Sequence, residues 1–590
     1  MTHGRRWAAA AVLAGLTALA YSTSLTSPFT HYDDPLYIWD NLTRMAVPGW
    51  KGLALQFDST RSWSGEFVEF FPLRDAVYWG LYQAFQLDPF PFHLASLVFH
   101  IISSLLLWRF FTLIGLPRQV TWLGALLFAL HPVHIESVVW IAGMKDPMAL
   151  MFILMGLCAY ASYRERPAPW KYALTMFGLC CAFMVKSIAV AMPVIMLAME
   201  LWIGTRAKWS LIALRLWGFF VVAGIFFMMI LGIGRANHVL VGPHGGTWAT
   251  HAVIVAWAQV KYLKQALLPT SYRLIYCFEP PTGLLDWRLW VGVALLLAVL
   301  ALAWRWRREP LRLFLMSFYV LAILPVSNLV PFPAIMADRY LYVPTVGTCG
   351  LLAIFAAGLQ PRLFRVVTVA VALLLTTATA TRAALWQDEE SLWEEPDLDP
   401  ACVTDTSFPA AQSHILRFFT TKDRTQGLLA LERALVTPGL RGVSTQMVCT
   451  TIIAAAQEAH ELGADARALS FARLATTQCP AYAQAWNAAM VVSLHKRPVL
   501  AAGAATKAWR LQKTPETEVL MWLTRLEIDD ATALPQILRL SQLKDELVCM
   551  KIAQFATDAP QLAPGLGEAN FNCAPYLPSG PPAPPGPAPK

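Results

Sequence analysis

The chain has 590 residues, of which 56% are hydrophobic and only 14% charged, with a mean hydropathy of +0.48, whereas a soluble domain carries roughly 25% charged residues. The bilayer is therefore the expected solvent for much of it. The net charge of +8 is spread over short loops, without the basic stripe and interleaved aromatics of a nucleic-acid surface, so no nucleic-acid partner is expected.

Crossing about 30 Å of hydrocarbon takes roughly 17 to 25 apolar residues as a helix. Stretches near that length predict eleven spans at 7–27, 93–114, 119–140, 147–163, 172–184, 187–203, 209–233, 288–304, 310–327, 343–358 and 364–383. The first, behind Arg5-Arg6, has the layout of a signal peptide, but the apolar run continues to Leu25, which favours a retained span. Basic residues gather on the cytoplasmic side of membrane proteins. Arg118, Arg164 to Lys171, Arg206 to Lys208, Arg305 to Arg308 and Arg362 to Arg365 alternate with loops assigned outside, which places the N-terminus inside and everything after the last span outside.

Three outer segments, 28–92, 234–287 and 328–342, are longer than plain connectors need to be. Within the second, 252–268 is apolar but carries Lys261 and Lys264, the mark of a helix lying in the interface; a twelfth span is the alternative.

The first outer loop opens with Phe29-Thr-His-Tyr-Asp-Asp-Pro-Leu-Tyr37. Two adjacent carboxylates cannot both ionise freely, so one proton is held more tightly, toward the range useful for proton abstraction. Taken alone, Asp33 and Asp34 read equally well as a turn or helix cap before Pro35. Other polar groups recur at the outer ends of spans: Arg74 and Asp75, then His131, His134 and Glu136, then Lys145 and Asp146, then Lys186, and finally Asp338, Arg339 and Tyr340. Ionisable groups at such depth cost up to about 2.5 to 3.5 kcal/mol each and face a cavity by default. Arg339 has the forked, permanently charged donor set suited to phosphate, or else snorkels as an interface anchor. His131, His134 and Glu136 have the donor types of a divalent-cation site. The intervening Pro132 fits substrate contact or a helix break as well, so no metal ligand is assigned, no cofactor is certain and a divalent cation stays open.

After Pro400 the sequence turns Ala-rich and amphipathic, predicting helices over 411–419, 424–435, 443–461, 463–475, 481–493, 497–511 and 516–527. Pro480 and Pro515 close two similar segments 35 residues apart, near the roughly 34-residue tetratricopeptide period; paired helices of this length need neighbours to bury their faces, which predicts a small α-solenoid. Five of the ten cysteines, Cys402, Cys449, Cys479, Cys549 and Cys573, lie in this part. Outside the cytoplasm they form up to two disulfides. Residues 574–590 are rich in proline and lack the side chains for a core.

Five segments in order carry a resemblance: Tyr32-Asp-Asp-Pro35, Phe92 to His100, His131-Pro-Val-His-Ile-Glu-Ser137 with Ala142-Gly-Met-Lys-Asp146, Pro325 to Pro344, and Trp386-Gln-Asp-Glu-Glu-Ser-Leu-Trp393. Together they resemble the transmembrane and tetratricopeptide-repeat protein O-mannosyltransferases of the GT-C class. The resemblance implies an all-α protein: a polytopic GT-C membrane domain over 1–395 with a catalytic outer loop at 28–92, a tetratricopeptide-like domain over 396–573 facing the periplasm, and a disordered tail at 574–590. It implies a polyprenyl-phosphate-linked sugar donor and a protein acceptor held by the repeats, with Asp33 or Asp34 as base, Asp33 being favoured by analogy with related enzymes. Arg339, Lys186 and Lys145 would meet phosphate; Arg74, His131 and His134 would position it or the sugar, in company with Glu136, Asp146 and Tyr340. The family's Ser-Lys-Glu after its fifth span reads Val185-Lys-Ser187 here, so that acid is missing. A glycosyltransferase acting on lipid or polysaccharide is the first alternative, and a non-catalytic transporter or scaffold recruiting secreted proteins the second. The Ala- and Arg-rich composition points to a bacterial inner membrane.

Overall fold

The computed structural model describes residues 3–30, 32–38, 41–60, 62, 69–204, 207–236, 242–270, 272–276, 278–279, 281–332, 334–389, 392, 415, 418, 423–436, 445–494, 496–528, 530–542, 545–558 and 566. The described residues fold as helices, turns and loops, in two compact units that divide near residue 422.

The first unit holds α1 (His3–Ala20), α2 (Asp34–Tyr37), α3 (Leu42–Met45), α4 (Gly49–Gln56), α5 (Pro72–Phe85), α6 (Pro89–Leu113), α7 (Arg118–Ala129), α8 (Ile135–Val138), α9 (Lys145–Glu165), α10 (Pro169–Phe183), α11 (Ala191–Trp202), α12 (Trp209–Ala236), α13 (Trp248–Leu267), α14 (Trp287–Arg305), α15 (Pro310–Ile323), α16 (Thr345–Ala356) and α17 (Pro361–Ala384). Proline stands in the first turn of α2, α5, α6, α10, α15 and α17, where its fixed φ suits a helix start and its missing N–H has no partner to lose. Among the described residues five helical segments are long and apolar enough to cross a membrane: Pro89–Leu113, Ile141–Glu165, Trp209–Ala236, Trp287–Arg305 and Pro361–Gln387. Shorter apolar helices run over Arg6–Ala20, Ser187–Trp202, Pro310–Val326 and Thr345–Ala356. The protein is an integral membrane protein.

One predicted span changes. The stretch 119–140 does not continue as one helix, because α7 stops at Ala129 and the chain turns through Pro132–His134 before α8. Pro132 lacks the N–H that the next turn needs, and its ring would clash with the preceding turn. The break turns this whole stretch inward, so that Pro132 to Val138 are buried. The segment predicted over 252–268 is α13, whose His251, Tyr262 and Gln265 are buried. It packs closely on α14: a Cβ added at Gly292 would come within 2.6 Å of the Ala256 Cβ.

In the second unit, α18 (Arg424–Val436), α19 (Thr445–Glu461), α20 (Asp465–Gln478), α21 (Ala483–Ser493), α22 (Pro498–Leu511), α23 (Pro515–Leu526), α24 (Ala533–Ser541) and α25 (Glu546–Asp558) follow in chain order. From α19 to α24 each helix packs on the next. Small residues permit this: Ala501, Ala504 and Ala505 of α22 are buried with Met490 and Met521, and Val519, Ile537, Val548 and Ile552 form a second core. The last two helices lie beyond those predicted, and the segment predicted over 411–419 falls almost wholly outside the described residues, as does the tail at 574–590. Cys449 and Cys479 form a disulfide that ties α19 to the end of α20, and Cys549 is also disulfide-bonded.

Candidate active site

The loop after α1 is folded by its own sequence. Tyr32 stacks on Trp140 with ring centroids 5.0 Å apart; Asp33 then occupies the position before α2, and Pro35 lies in the first turn of that helix. The two aspartates have different surroundings. Asp34 is 1% exposed, and its carboxylate accepts from Thr30 N–H at 2.8 Å, from the Thr30 hydroxyl at 3.1 Å and from Ala142 N–H at 2.8 Å. Burial raises the Asp34 carboxyl to about 7, against the pull of these donors. Asp33 is only half-buried. Burial raises its carboxyl as well, and the facing charges of Lys145, Arg339 and Arg74 oppose that rise.

Those cations arrive from three directions. Arg74 sits near the start of α5, which Leu73 and Arg74 fix by donating their backbone N–H groups to Met184 O at the end of α10. Lys145 opens α9 and donates to the Tyr37 hydroxyl at 2.9 Å, and that hydroxyl donates to Glu69 Oε2 at 2.9 Å. Glu69 also pairs with Arg74 and stands 3.7 Å from Lys145 Nζ. Burial pushes the Glu69 carboxyl up, but Lys145 and Arg74 outweigh it and hold the group at about 2. Arg74 and Lys145 both lie over the Tyr37 ring, at 4.4 and 4.8 Å.

Arg339 comes from the loop before α16. Glu136 fixes it twice, by pairing with the guanidinium and by accepting its backbone N–H at 2.9 Å. The guanidinium lies 5.3 Å from both the Trp140 and Tyr340 rings. Lys186 pairs with Asp146 and faces the Tyr340 ring at 5.9 Å. Asp146 thus supplies a carboxylate to Lys186, which is followed by Ser187.

His131 and His134 have bonded partners of their own. His134 is fully buried, bonded to the Thr345 hydroxyl at 2.8 Å and packed against Phe128 and Tyr342 at 4.4 and 4.7 Å. His131 is 4% exposed and accepts from Val133 N–H. Both rings hold the turn after α7 together. Since Glu136 is taken by Arg339, the three do not converge as metal donors, and no group of three such donors occurs among the described residues.

Glu69 and Tyr37 are central here and were missed in the sequence. Glu69 follows no motif and only the folded loop brings it to Arg74. Tyr37 had a signal, since it lies three residues after Asp34, one helical turn away.

Lys145, Arg339 and Arg74 thus face Asp33. No family model matches the chain. It is 24% identical over 462 residues to Protein O-mannosyl-transferase TMTC1 of Homo sapiens, covering 65% of this chain and 50% of that protein. To Protein O-mannosyl-transferase F38B6.6 of Caenorhabditis elegans it is 22% identical over 407 residues, covering 65% and 56%. This chain is a homologue of the protein O-mannosyl-transferases. Protein O-mannosyl-transferase TMTC4 of Homo sapiens is 26% identical over 373 residues, covering 52% of this chain and 50% of its own length. The chain spans about half the length of these relatives. No solved structure matches. The family resemblance drawn from the five sequence segments is borne out by these homologues.

Proposed function

We propose that the chain is an inverting glycosyltransferase that moves a sugar, mannose by its homology, from a polyprenyl-phosphate carrier to a serine or threonine hydroxyl of an exported protein. The observation that carries this reading is Asp33: a half-buried carboxylate facing Lys145, Arg339 and Arg74. A base and a set of cations side by side are what this transfer requires.

The acceptor oxygen attacks the anomeric carbon from the face opposite the carrier and gives its proton to Asp33. The bond between that carbon and the phosphate oxygen breaks, and its electron pair leaves with the lipid phosphate. Arg339, Lys145, Arg74 and Lys186 stabilise the growing phosphate charge, which matters most in a site with little water. Asp34 holds the loop. Protonation of a side chain and neutralisation of a leaving group suffice, so the step is drawn without a metal.

A lipid carrier is supported by an apolar groove of about 680 Å³ between α13, α14, α15 and α16, lined by Val255, Leu263, Leu296, Val299, Tyr319 and Leu352 among others. It reaches Ser327 and Leu329, in the loop that leads to Arg339. An extracytoplasmic site, in a bacterial inner membrane facing the periplasm, is supported by the loop charges and by the disulfides of the second unit, which persist in oxidising compartments. That unit, read as tetratricopeptide-like, would hold the protein acceptor.

The test is transfer by the purified full chain from a synthetic polyprenyl-phosphate mannose to exported proteins of cells lacking the gene. Sugar should appear on hydroxyls with wild type and not with Asp33→Asn. Equal transfer by the two would remove Asp33 as base, and transfer to lipid alone would remove the protein acceptor.

A further inference from the structure

Arg74 and Lys145 are almost fully covered, with side chains 1% and 9% exposed, whereas Glu69, which bridges them, is 31% exposed. The cluster thus has one open side, and the carboxylate stands on it. Without Glu69, Asp75 would still pair with Arg74, but Lys145 would keep no paired carboxylate among the described residues, and an uncompensated buried cation is costly, so an empty site needs an anion there. The guanidinium fork accepts a carboxylate or a phosphate with the same geometry. Arg74 is also held independently of Glu69, since its Nε donates to Asp75 Oδ1 at 2.8 Å. Its Nη2 is buried and has no partner among the described residues, a donor left over for a ligand.

We propose that Glu69 is a stand-in for the donor's phosphate: it holds Arg74 and Lys145 in position while the site is empty, yields them when the lipid phosphate binds, and retakes them to release the product. This rests on the reading of the donor given above. Glu69 is a positioning residue, acting through Arg74, Lys145 and the Tyr37 hydroxyl. Because the two cations keep its carboxyl ionised, it competes with phosphate at any working pH. Competition by a fixed anion weakens the binding of donor and product alike and speeds departure of the product, while its absence leaves the cations free to retain it.

The experiment measures inhibition of the full chain by polyprenyl phosphate, with direct binding of the same lipid measured in parallel. Glu69→Gln keeps the shape and the Tyr37 contact but removes the charge. Its inhibition constant should fall about tenfold and its donor KM should fall with it, with slower turnover once release limits the rate. Glu69→Asp, whose carboxylate is drawn back by one methylene, should lie between the two and carries the test should the Gln variant fail to melt cooperatively. A merely structural role would lower stability without tightening product inhibition. Unchanged or weaker inhibition in both variants overturns the proposal. A wild type that neither transfers sugar nor binds polyprenyl phosphate instead removes the functional reading itself.

Discussion

The Asp34 carboxylate accepts the Ala142 backbone N–H at 2.8 Å across 108 positions of sequence, fastening the loop after α1 to the turn that leads into α9. Asp34 carries the fold of the loop, whereas on the proposed reading Asp33 is the base. Asp34→Ala strands buried donors, each worth about 1 to 3 kcal/mol when unsatisfied, so its melting temperature and its transfer should fall together. Asp33→Asn should abolish transfer at an unchanged melting temperature. Thermal melts beside a transfer assay separate the two, and the reverse pattern would exchange the roles.

The base must be ionised to accept a proton. Burial holds the Asp33 carboxyl above its ordinary value, so activity should fail on acidification at a higher pH than a free aspartate near 3.9 would allow. The expected profile of kcat/KM rises with pH through that raised midpoint and then levels. A rate still at its plateau at about pH 4 would contradict a raised base.

The helical class, the membrane nature and most helix positions were legible because apolar run length and proline at helix starts are local signals. The break at Pro132 was visible as a motif but not in its effect, since a run of apolar residues reads the same whether it faces lipid or turns back into a core. The acids at Asp33 and Asp34 and the cations Lys145, Lys186 and Arg339 were legible as residues out of place in a membrane protein. The difference between Asp33 and Asp34 was not, because it depends on which of them meets Ala142. Glu69 was hidden for the same reason, its partners being set by the packing of α5 and α9.

Gly143 closes this arrangement from the other side. A Cβ there would lie 2.3 Å from Glu136 O, an approach that real side chains do not make, and the obstacle is backbone. Glu136 holds Arg339. Gly143→Ala should therefore displace Glu136, weaken donor use more than tenfold and lower the melting temperature, whereas Gly80→Ala, with open space around it and a gain in helix propensity, should change neither. Donor KM and thermal melts of the two variants decide this.

Asp338 is 5% exposed and accepts from the Tyr276 hydroxyl at 2.6 Å. Burial, with the Glu136 charge adding to it, raises its carboxyl to about 8. A raised acid binds its proton more tightly folded than unfolded, so its contribution is full below the unfolded value near 3.9 and is lost as pH rises toward 8. Stability of the wild type should decline across that window. Asp338→Asn mimics the protonated acid and should flatten the decline; melting temperatures of both proteins at about pH 5, 7 and 9 check it, and parallel curves would rule it out.

The Cys449–Cys479 disulfide closes a loop with a sequence separation of 30, for which restriction of the unfolded chain is worth on the order of 3 kcal/mol. It joins two successive helices of a stack whose members depend on their neighbours for burial, so loosening it should destabilise α19 and α20 first. Cys449→Ser with Cys479→Ser should lower the melting temperature of the second unit and raise hydrogen exchange in those helices, with little change in α5 or α9. If the second unit holds the acceptor, the same variant should raise the acceptor KM while donor KM stays put. An equal rise in both would place the second unit's influence on the catalytic cluster instead.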